Sequence, residues 1–234
     1  MMFKKWFATR TAQKYLQKGE ILLVQGKQKN AIEQFSKAIE LDPMLLDAYL
    51  NRAIAYYEIG NAENAITDLN HVLQYKPNIP AAYYWRGRAY MHIGETDLAI
   101  RDIDEAIKLD PSEPANPLFR AFIHFCRKEN DEAIKDTTRA IQLGFEEEGY
   151  RNRAIIFAQT GNYQAAIEDW TRVIALNPDD ANAYCARGIL LEKAGQFERA
   201  LTDLKTGLQN KDDLEEQMKV ESEKLMRKLE SRNR

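Results

Sequence analysis

Residues 46–79 read LDAYLNRAIAYYEIGNAENAITDLNHVLQYKPNI, and residues 80–113 read PAAYYWRGRAYMHIGETDLAIRDIDEAIKLDPSE. Laid one under the other, these 34-residue stretches set Tyr49 over Tyr83, Arg52 over Arg86, Gly60 over Gly94, Ala65 over Ala99 and Asp68 over Asp102. The period runs outward in both directions. A small residue followed by an aliphatic one recurs at Ala31-Ile32, Ala65-Ile66, Ala99-Ile100, Ala133-Ile134, Ala166-Ile167 and Ala200-Leu201, at spacings of 34, 34, 34, 33 and 34. Four residues beyond each alanine stands a large side chain (Phe35, Leu69, Ile103, Trp170, Leu204), with Thr137 the exception.

Each recurring feature has a mechanical reading. Seven residues beyond the alanine come Ala38, Val72, Ala106, Ala140 and Val173, so offsets 0, 4 and 7 share one face of a helix. Gly26, Gly60, Gly94, Gly161 and Gly195 sit five residues before it, where a first helix must stop and turn. Pro43, Pro77, Pro111 and Pro178 sit twelve residues after it and end the second helix. The unit is an antiparallel helix pair too small to bury its own apolar face, and stacked neighbours supply the missing burial.

Composition bounds the function. The chain has 234 residues, 44% hydrophobic and 29% charged, enough to bury a core. No run of 18 apolar residues exists, so no integral membrane segment is expected. A formal net charge of −3 argues against a nucleic-acid binder. Two cysteines make no disulfide framework and fit a reducing, cytoplasmic setting. Residues 1–11 carry Lys4, Lys5 and Arg10 around Phe3, Trp6 and Phe7 with no apolar h-region after them, which is not a signal-peptide pattern. This lead-in either lays its aromatics on the first helix or touches a membrane surface.

A 34-residue period with an early aromatic and late small residues resembles the tetratricopeptide repeat (TPR) family. Ankyrin's Thr-Pro-Leu-His signature is absent, and HEAT and armadillo units are longer. The resemblance covers six units, 12–45, 46–79, 80–113, 114–146, 147–180 and 181–214, followed by a charged capping helix at 215–234. It implies an all-α right-handed superhelix, an α-solenoid of antiparallel helix pairs.

A second regularity lies inside the repeat. Arg52, Arg86, Arg120, Arg153 and Arg187 hold the seventh position of their units, and Asp68, Asp102, Asp136, Asp169 and Asp203 the twenty-third. In a hairpin folding back near position fifteen, these two positions lie side by side. Five half-buried, two-pronged Arg–Asp pairs are expected to fix helix register rather than add net stability. The first unit has Lys18 and Gln34 there, losing both partners together.

Motifs for chemistry are missing. The sequence holds no Gly-rich phosphate loop, no Gly-x-Ser-x-Gly and no His-Glu-x-x-His. Cys126 and Cys185 lack zinc or redox spacing. His124 reads as a hydrogen-bonded core residue, His92 as groove-facing and His71 as solvated. The chain is read as a non-enzyme with no cofactor and no metal.

The family resemblance implies a concave surface built from positions 2, 5, 9, 12 and 13 of each first helix. Carried over, these give a partner-binding set of Leu16, Leu50, Ile54, Tyr57, Tyr84, Arg88, Met91, Leu118, Phe122, Phe125, Ile155 and Ile189. The apolar stripe fades in the sixth unit at Glu192 and Lys193. The opposite faces of the same helices serve the core, so the middle units are apolar on two sides. Such a surface is either a partner groove or one that tight curvature packs against itself. TPR domains that clamp a chaperone's C-terminal carboxylate use Lys, Asn and Arg at positions that here read Leu16, Glu20, Asn51, Ala81 and Trp85. Only Asn51 agrees. The asparagine ladder of peptide-holding TPR superhelices keeps only Asn51 and Asn152, with Trp85, Phe119 and Ala186 on the other rungs. What remains suits an amphipathic helix or hydrophobic peptide anchored by aromatics.

The fourth unit departs most from the pattern. Pro111, Pro114 and Pro117 crowd its entry, Asn116 is the expected N-cap of a late-starting helix, and Lys128 replaces the turn glycine. The departure reads as a bend in the superhelix or as a groove widened around Phe119, Phe122 and Phe125. From Lys211, 14 of the last 24 residues are charged, with Leu214, Met218, Leu225 and Leu229 forming a narrow apolar seam. A solubilising cap is the first reading of this tail; dimerisation or folding back into the groove is the second. The sequence therefore points to a protein-binding scaffold or adaptor. The alternative is a structural subunit that self-assembles with other copies through its terminal segments.

Overall fold

A computed structural model describes residues 2–209 and 214–232, with the side chains of residues 2–6 also outside the description. The side chains of Phe3 and Trp6 and the start of the tail at Lys211 therefore fall outside it. The described residues form thirteen α-helices and no strand. The chain divides into two compact units, Met1–Asn116 and Pro117–Arg234.

The first unit holds α1 (Met2–Val24), α2 (Gln28–Leu41), α3 (Leu46–Glu58), α4 (Ala62–Tyr75), α5 (Pro80–His92) and α6 (Thr96–Leu109). The second holds α8 (Asn130–Gln142), α9 (Glu146–Gln159), α10 (Tyr163–Leu176), α11 (Ala181–Lys193), α12 (Phe197–Gln209) and α13 (Glu216–Arg232), with most of α7 (Ala115–Cys126). In each unit the helices pair as antiparallel hairpins that stack on their neighbours, so each is an α-solenoid of helix pairs. Residues 2–11 are not a separate lead-in: they are the first turns of α1.

The turns explain why each helix stops where it does. At Gly60, φ is +81°, a conformation that costs glycine nothing. Its amide donates to the Tyr57 carbonyl and the Asn61 amide to the Tyr56 carbonyl, both at 2.9 Å, satisfying the last carbonyls of α3. Asn61 then caps α4, its Oδ1 accepting from the Asn64 amide. Lys128 takes the glycine's place after α7 and still adopts φ +63°. The expected Asn116 cap is corrected by the structure: α7 begins at Ala115, so Asn116 lies within its first turn and is buried.

Inside most hairpins a large side chain of the second helix sits against a small residue of the first. A Cβ added to Gly19 would strike Phe35; at Gly87 it would lie 2.9 Å from Ile103 and at Gly188 3.0 Å from Leu204. Ala53 with Leu69, and Ala154 with Trp170, are buried together in the same way. Only a hydrogen or a methyl leaves room for the knob, which fixes residue size at both places. In the fourth pair both places are small, Ala121 and Thr137.

Helix α13 packs on α11 and α12. Leu229 and Ser222 are buried, Lys228 meets Glu192 at 2.9 Å, and the Arg232 guanidinium lies 4.3 Å from the Phe197 ring centre. Leu214 is buried just ahead of this helix rather than on it.

Candidate functional site

The structure brings each repeat arginine onto its aspartate. Arg52 donates through Nε to Asp68 Oδ2 at 2.7 Å and through Nη2 to Oδ1 at 2.8 Å. The same fork joins Arg86 to Asp102, Arg120 to Asp136, Arg153 to Asp169 and Arg187 to Asp203. The five aspartates are 4–6% exposed. Burial works against the charge of Arg52, yet the Asp68 carboxylate outweighs it and raises the arginine's pKa. The tyrosine series completes the clamp: the Arg52 guanidinium lies 5.5 Å from the Tyr49 ring and 5.8 Å from Tyr56, and Arg86 lies 5.5 Å from Tyr83.

One contact of these arginines was missed by sequence reasoning. Nη1 of Arg52 donates to Ser36, that of Arg86 to Asn70, that of Arg153 to Thr138 and that of Arg187 to Thr171. Each acceptor belongs to the second helix of the preceding pair, so the arginine locks one hairpin to the next. A polar residue two places after each aspartate (Asn70, Thr138, Thr171) was the available signal.

The first-helix face, where a partner is expected, differs between the two units. On α3 and α5, Leu50, Ile54, Tyr57, Tyr84, Arg88 and Met91 are all half-buried. Tyr57 and Trp85 meet edge to face at 5.6 Å, as do Tyr84 and Trp85. The Arg88 guanidinium lies 4.8 Å from both the Tyr57 and the Trp85 ring centres. Burial pushes the Tyr84 phenol pKa up. These side chains spend much of their surface on one another. Leu16 does not join that face: it is 2% exposed and packs with Ala31, Phe35 and Ala38, because α1 turns it into the first hairpin.

On the second unit, Phe122 is 49% exposed and Ile155 43% exposed, while Leu118, Phe125 and Ile189 are half-buried. Phe119 and Phe122 stack at 6.0 Å. A cavity of about 270 Å³ opens between α7 and α9, lined by Ala121, Phe122, Phe125, Thr137, Asn152, Ile155 and Ile156. A broader hollow of about 450 Å³ lies between α9, α11 and α13, with Trp170, Ile189 and Met218 on its walls and Arg151, Lys193, Glu215 and Glu221 among them. Arg151 is already held by Glu147 and Asp180, each at 2.8 Å.

The histidines divide three ways. His124 Nδ1 lies 2.6 Å from Glu129, whose pKa it lowers, and Nε2 lies 3.8 Å from Asp136. His92 is exposed, 6.1 Å from Tyr57. His71 is not solvated as expected: it is half-buried, stacked on Tyr49 at 4.1 Å, because its helix face meets the tyrosine series. Both cysteines are free thiols; Cys185 is buried, and burial raises its pKa. Among the described residues no group of three or more His, Cys, Asp or Glu side chains stands together as a metal site, and no helix is long and apolar enough to cross a membrane.

Comparison with known proteins adds the relationship. A family profile described as "TPR repeat" matches residues 19–60 and 155–195, and one described as "Tetratricopeptide repeat" matches 50–114, together more than half of the chain. DnaJ homolog subfamily C member 3 of Mus musculus is 38% identical over 74 residues, 32% of this chain and 15% of its own length. Among solved structures, the APC/C hetero-tetramer Cut9-Hcn1 aligns with a TM-score of 0.72 at 19% identity over 94% of this chain and 43% of that one. The pilF protein of Pseudomonas aeruginosa aligns with a TM-score of 0.73 at 16% identity, covering 84% and 90%. YrrB, described as a TPR protein with an unusual peptide-binding site, aligns at 0.64 with 19% identity, covering 81% and 97%. This chain thus spans a small part of the mouse relative and under half of the Cut9-Hcn1 chain.

Proposed function

The chain belongs to the tetratricopeptide repeat family, and from that premise we propose that it is a non-catalytic scaffold or adaptor whose C-terminal unit grips a hydrophobic or helical segment of a partner protein. The carrying observation is the opening between α7 and α9, where Phe122 and Ile155 stand nearly half in water at the rim of an apolar cavity. A soluble protein rarely leaves such side chains beside unfilled volume unless another molecule covers them. Leu118, Phe125 and Ile189 continue the same apolar face. The family is generally a non-enzymatic protein-interaction fold, and YrrB supports a peptide as occupant of such a stack. Free thiols at Cys126 and Cys185 fit a cytoplasmic setting, and the net charge of −3 favours protein over nucleic acid as partner.

The test is affinity capture from source-cell lysate with the wild-type chain and with a Phe122→Glu, Ile155→Glu variant, identified by mass spectrometry. Both side chains are nearly half exposed at the rim and absent from the buried core, so helical circular dichroism is expected to be unchanged and melting to shift little. Partners lost by the folded variant support the groove, and partners all retained refute it. Self-association is the competing reading, favoured by Phe7 at 55% exposure on the start of α1. A mass that rises with concentration in light scattering, and stops rising in a Phe7→Ser variant, would carry that reading instead.

A further inference from the structure

The cavity between α7 and α9 has a specific origin in the repeat. Phe35, Leu69, Ile103, Trp170 and Leu204 fill the corresponding place in their hairpins, each against a glycine or alanine. The fourth hairpin sets Thr137 against Ala121, and both are buried, at 0% and 2%. Thr137 Oγ1 donates to the Ala133 and Ile134 carbonyls, 2.9 Å from each, so its hydroxyl is satisfied within α8 and its methyl is left for the cavity. The chain has not closed over the missing side chain. The floor is buried Ala121, Thr137 and Ile156, and the mouth is exposed Phe122 and Ile155.

We propose that this cavity is an anchor pocket for a single bulky apolar side chain of a partner segment, one that takes the place of the missing knob and carries a basic residue about one helical turn away. The inference rests on the groove reading of function and names its central contact. Size supports the anchor: apolar cavities of roughly 150 Å³ hold benzene, so about 270 Å³ admits a group as large as an indole. Charge supports the base. Glu148 is exposed and shares one face of α9 with the lining residues Asn152 and Ile155, at i, i+4 and i+7. Glu146 is exposed in the same first turn of α9, and the nearby cation Arg151 is paired with Glu147 and Asp180. The rim therefore presents surplus negative charge beside an apolar hole. An ammonium or guanidinium next to the anchor is attracted there, and a carboxylate is repelled.

Three probes of one shape separate these claims: tryptamine, indole and indole-3-acetate, titrated into the full chain with the methyl NMR signals of Ala121, Thr137 and Ile155 as readout. Saturable shifts at these methyls are expected, with tryptamine binding roughly threefold tighter than indole-3-acetate at low salt and Glu148→Gln reducing the gap to within about twofold. Thr137→Leu restores the residue that Leu69 and Leu204 supply elsewhere; it is expected to raise Tm and to weaken all three probes by about tenfold or more. Thr137→Val keeps the volume and is expected to keep binding. Absence of a saturable shift in the wild-type chain, or undiminished binding by folded Thr137→Leu, overturns the pocket. Equal affinity of tryptamine and indole-3-acetate overturns the basic neighbour. Should lysate partners survive Thr137→Leu yet vanish with Phe122→Glu, Ile155→Glu, the anchor pocket falls while the groove reading stands. Partners surviving both would remove the groove reading itself.

Discussion

On the first-helix face of the N-terminal unit, Tyr57, Tyr84 and Trp85 meet edge to face around the Arg88 guanidinium; on that of the C-terminal unit, Phe122 and Ile155 stand in water at the edge of a hole. The two faces come from the same positions of the same repeat and are similarly rich in apolar and aromatic side chains. They differ in what the neighbours do. In the first, Tyr57, Tyr84 and Trp85 pack on one another and on Arg88 and are half-buried, whereas Phe122 stays 49% exposed although Phe119 stacks on it. In the second, Thr137 withholds a side chain from the hairpin beneath, and the rings above it have less to rest on. Aromatic content on a solenoid face is thus a weak sign of a binding site. Unfilled volume under exposed aromatics is a stronger one.

The largest effects should be common to both units, because both rest on the same Arg–Asp fork. Asp102→Ala in the N-terminal unit and Asp169→Ala in the C-terminal unit each leave a half-buried arginine without its carboxylate, and each should cost about 3 kcal/mol in urea unfolding. Replacing the whole pair, as Arg86→Met with Asp102→Leu, should recover most of that loss, since the pair's attraction mainly repays its own desolvation. A loss in one unit much smaller than in the other would mean that the two halves are not held by the same device.

The faces themselves should separate by an intermediate amount. Trp85→Ala removes a ring that touches Tyr57, Tyr84 and Arg88, and should cost about 2–3 kcal/mol. Phe122→Ala removes a ring nearly half in water and should cost under about 1 kcal/mol while abolishing partner capture. The comparison breaks if Phe122→Ala destabilises the fold as much as Trp85→Ala does, for then both faces are core.

Much of this architecture was legible in the residues, and the reasons are local. Helix, turn and pairing each leave a period: Ala65 to Leu69 to Val72 along one face, Gly60 at a positive φ, Arg52 across from Asp68. Such signals survive because one residue type alone meets the physical demand. The site was harder to read. Leu16 and Phe122 both occupy groove positions, yet Leu16 is buried and Phe122 exposed. That difference is set by the residues facing them from neighbouring helices, which a spacing argument along one helix does not see. The Ser36, Asn70, Thr138 and Thr171 links between hairpins escaped for the same reason. Thr137 stood out as the one break in the pattern, but only the packing of Ala121 against it shows that the break is a hole.

The smallest expected effect lies in the turns, and it compares the units with little interference from packing. Gly94 closes α5 at φ +84°, and a Cβ built there meets nothing within 4 Å. Any cost of Gly94→Ala is therefore backbone strain, about 1–2 kcal/mol for an L-residue in the left-handed region, reduced by the roughly 0.4–1 kcal/mol gained when the unfolded chain loses glycine's freedom. A net loss of about 0.5–1 kcal/mol should remain. Lys128 already bears that strain at φ +63° after α7. Lys128→Gly runs the same exchange in reverse and should stabilise the C-terminal unit by a similar amount, read as a rise in urea midpoint at unchanged slope. If Lys128→Gly instead loses stability, the lysine stem is holding the turn through contacts of its own. The fourth hairpin would then be fixed by its side chains at the end where the other five rely on glycine.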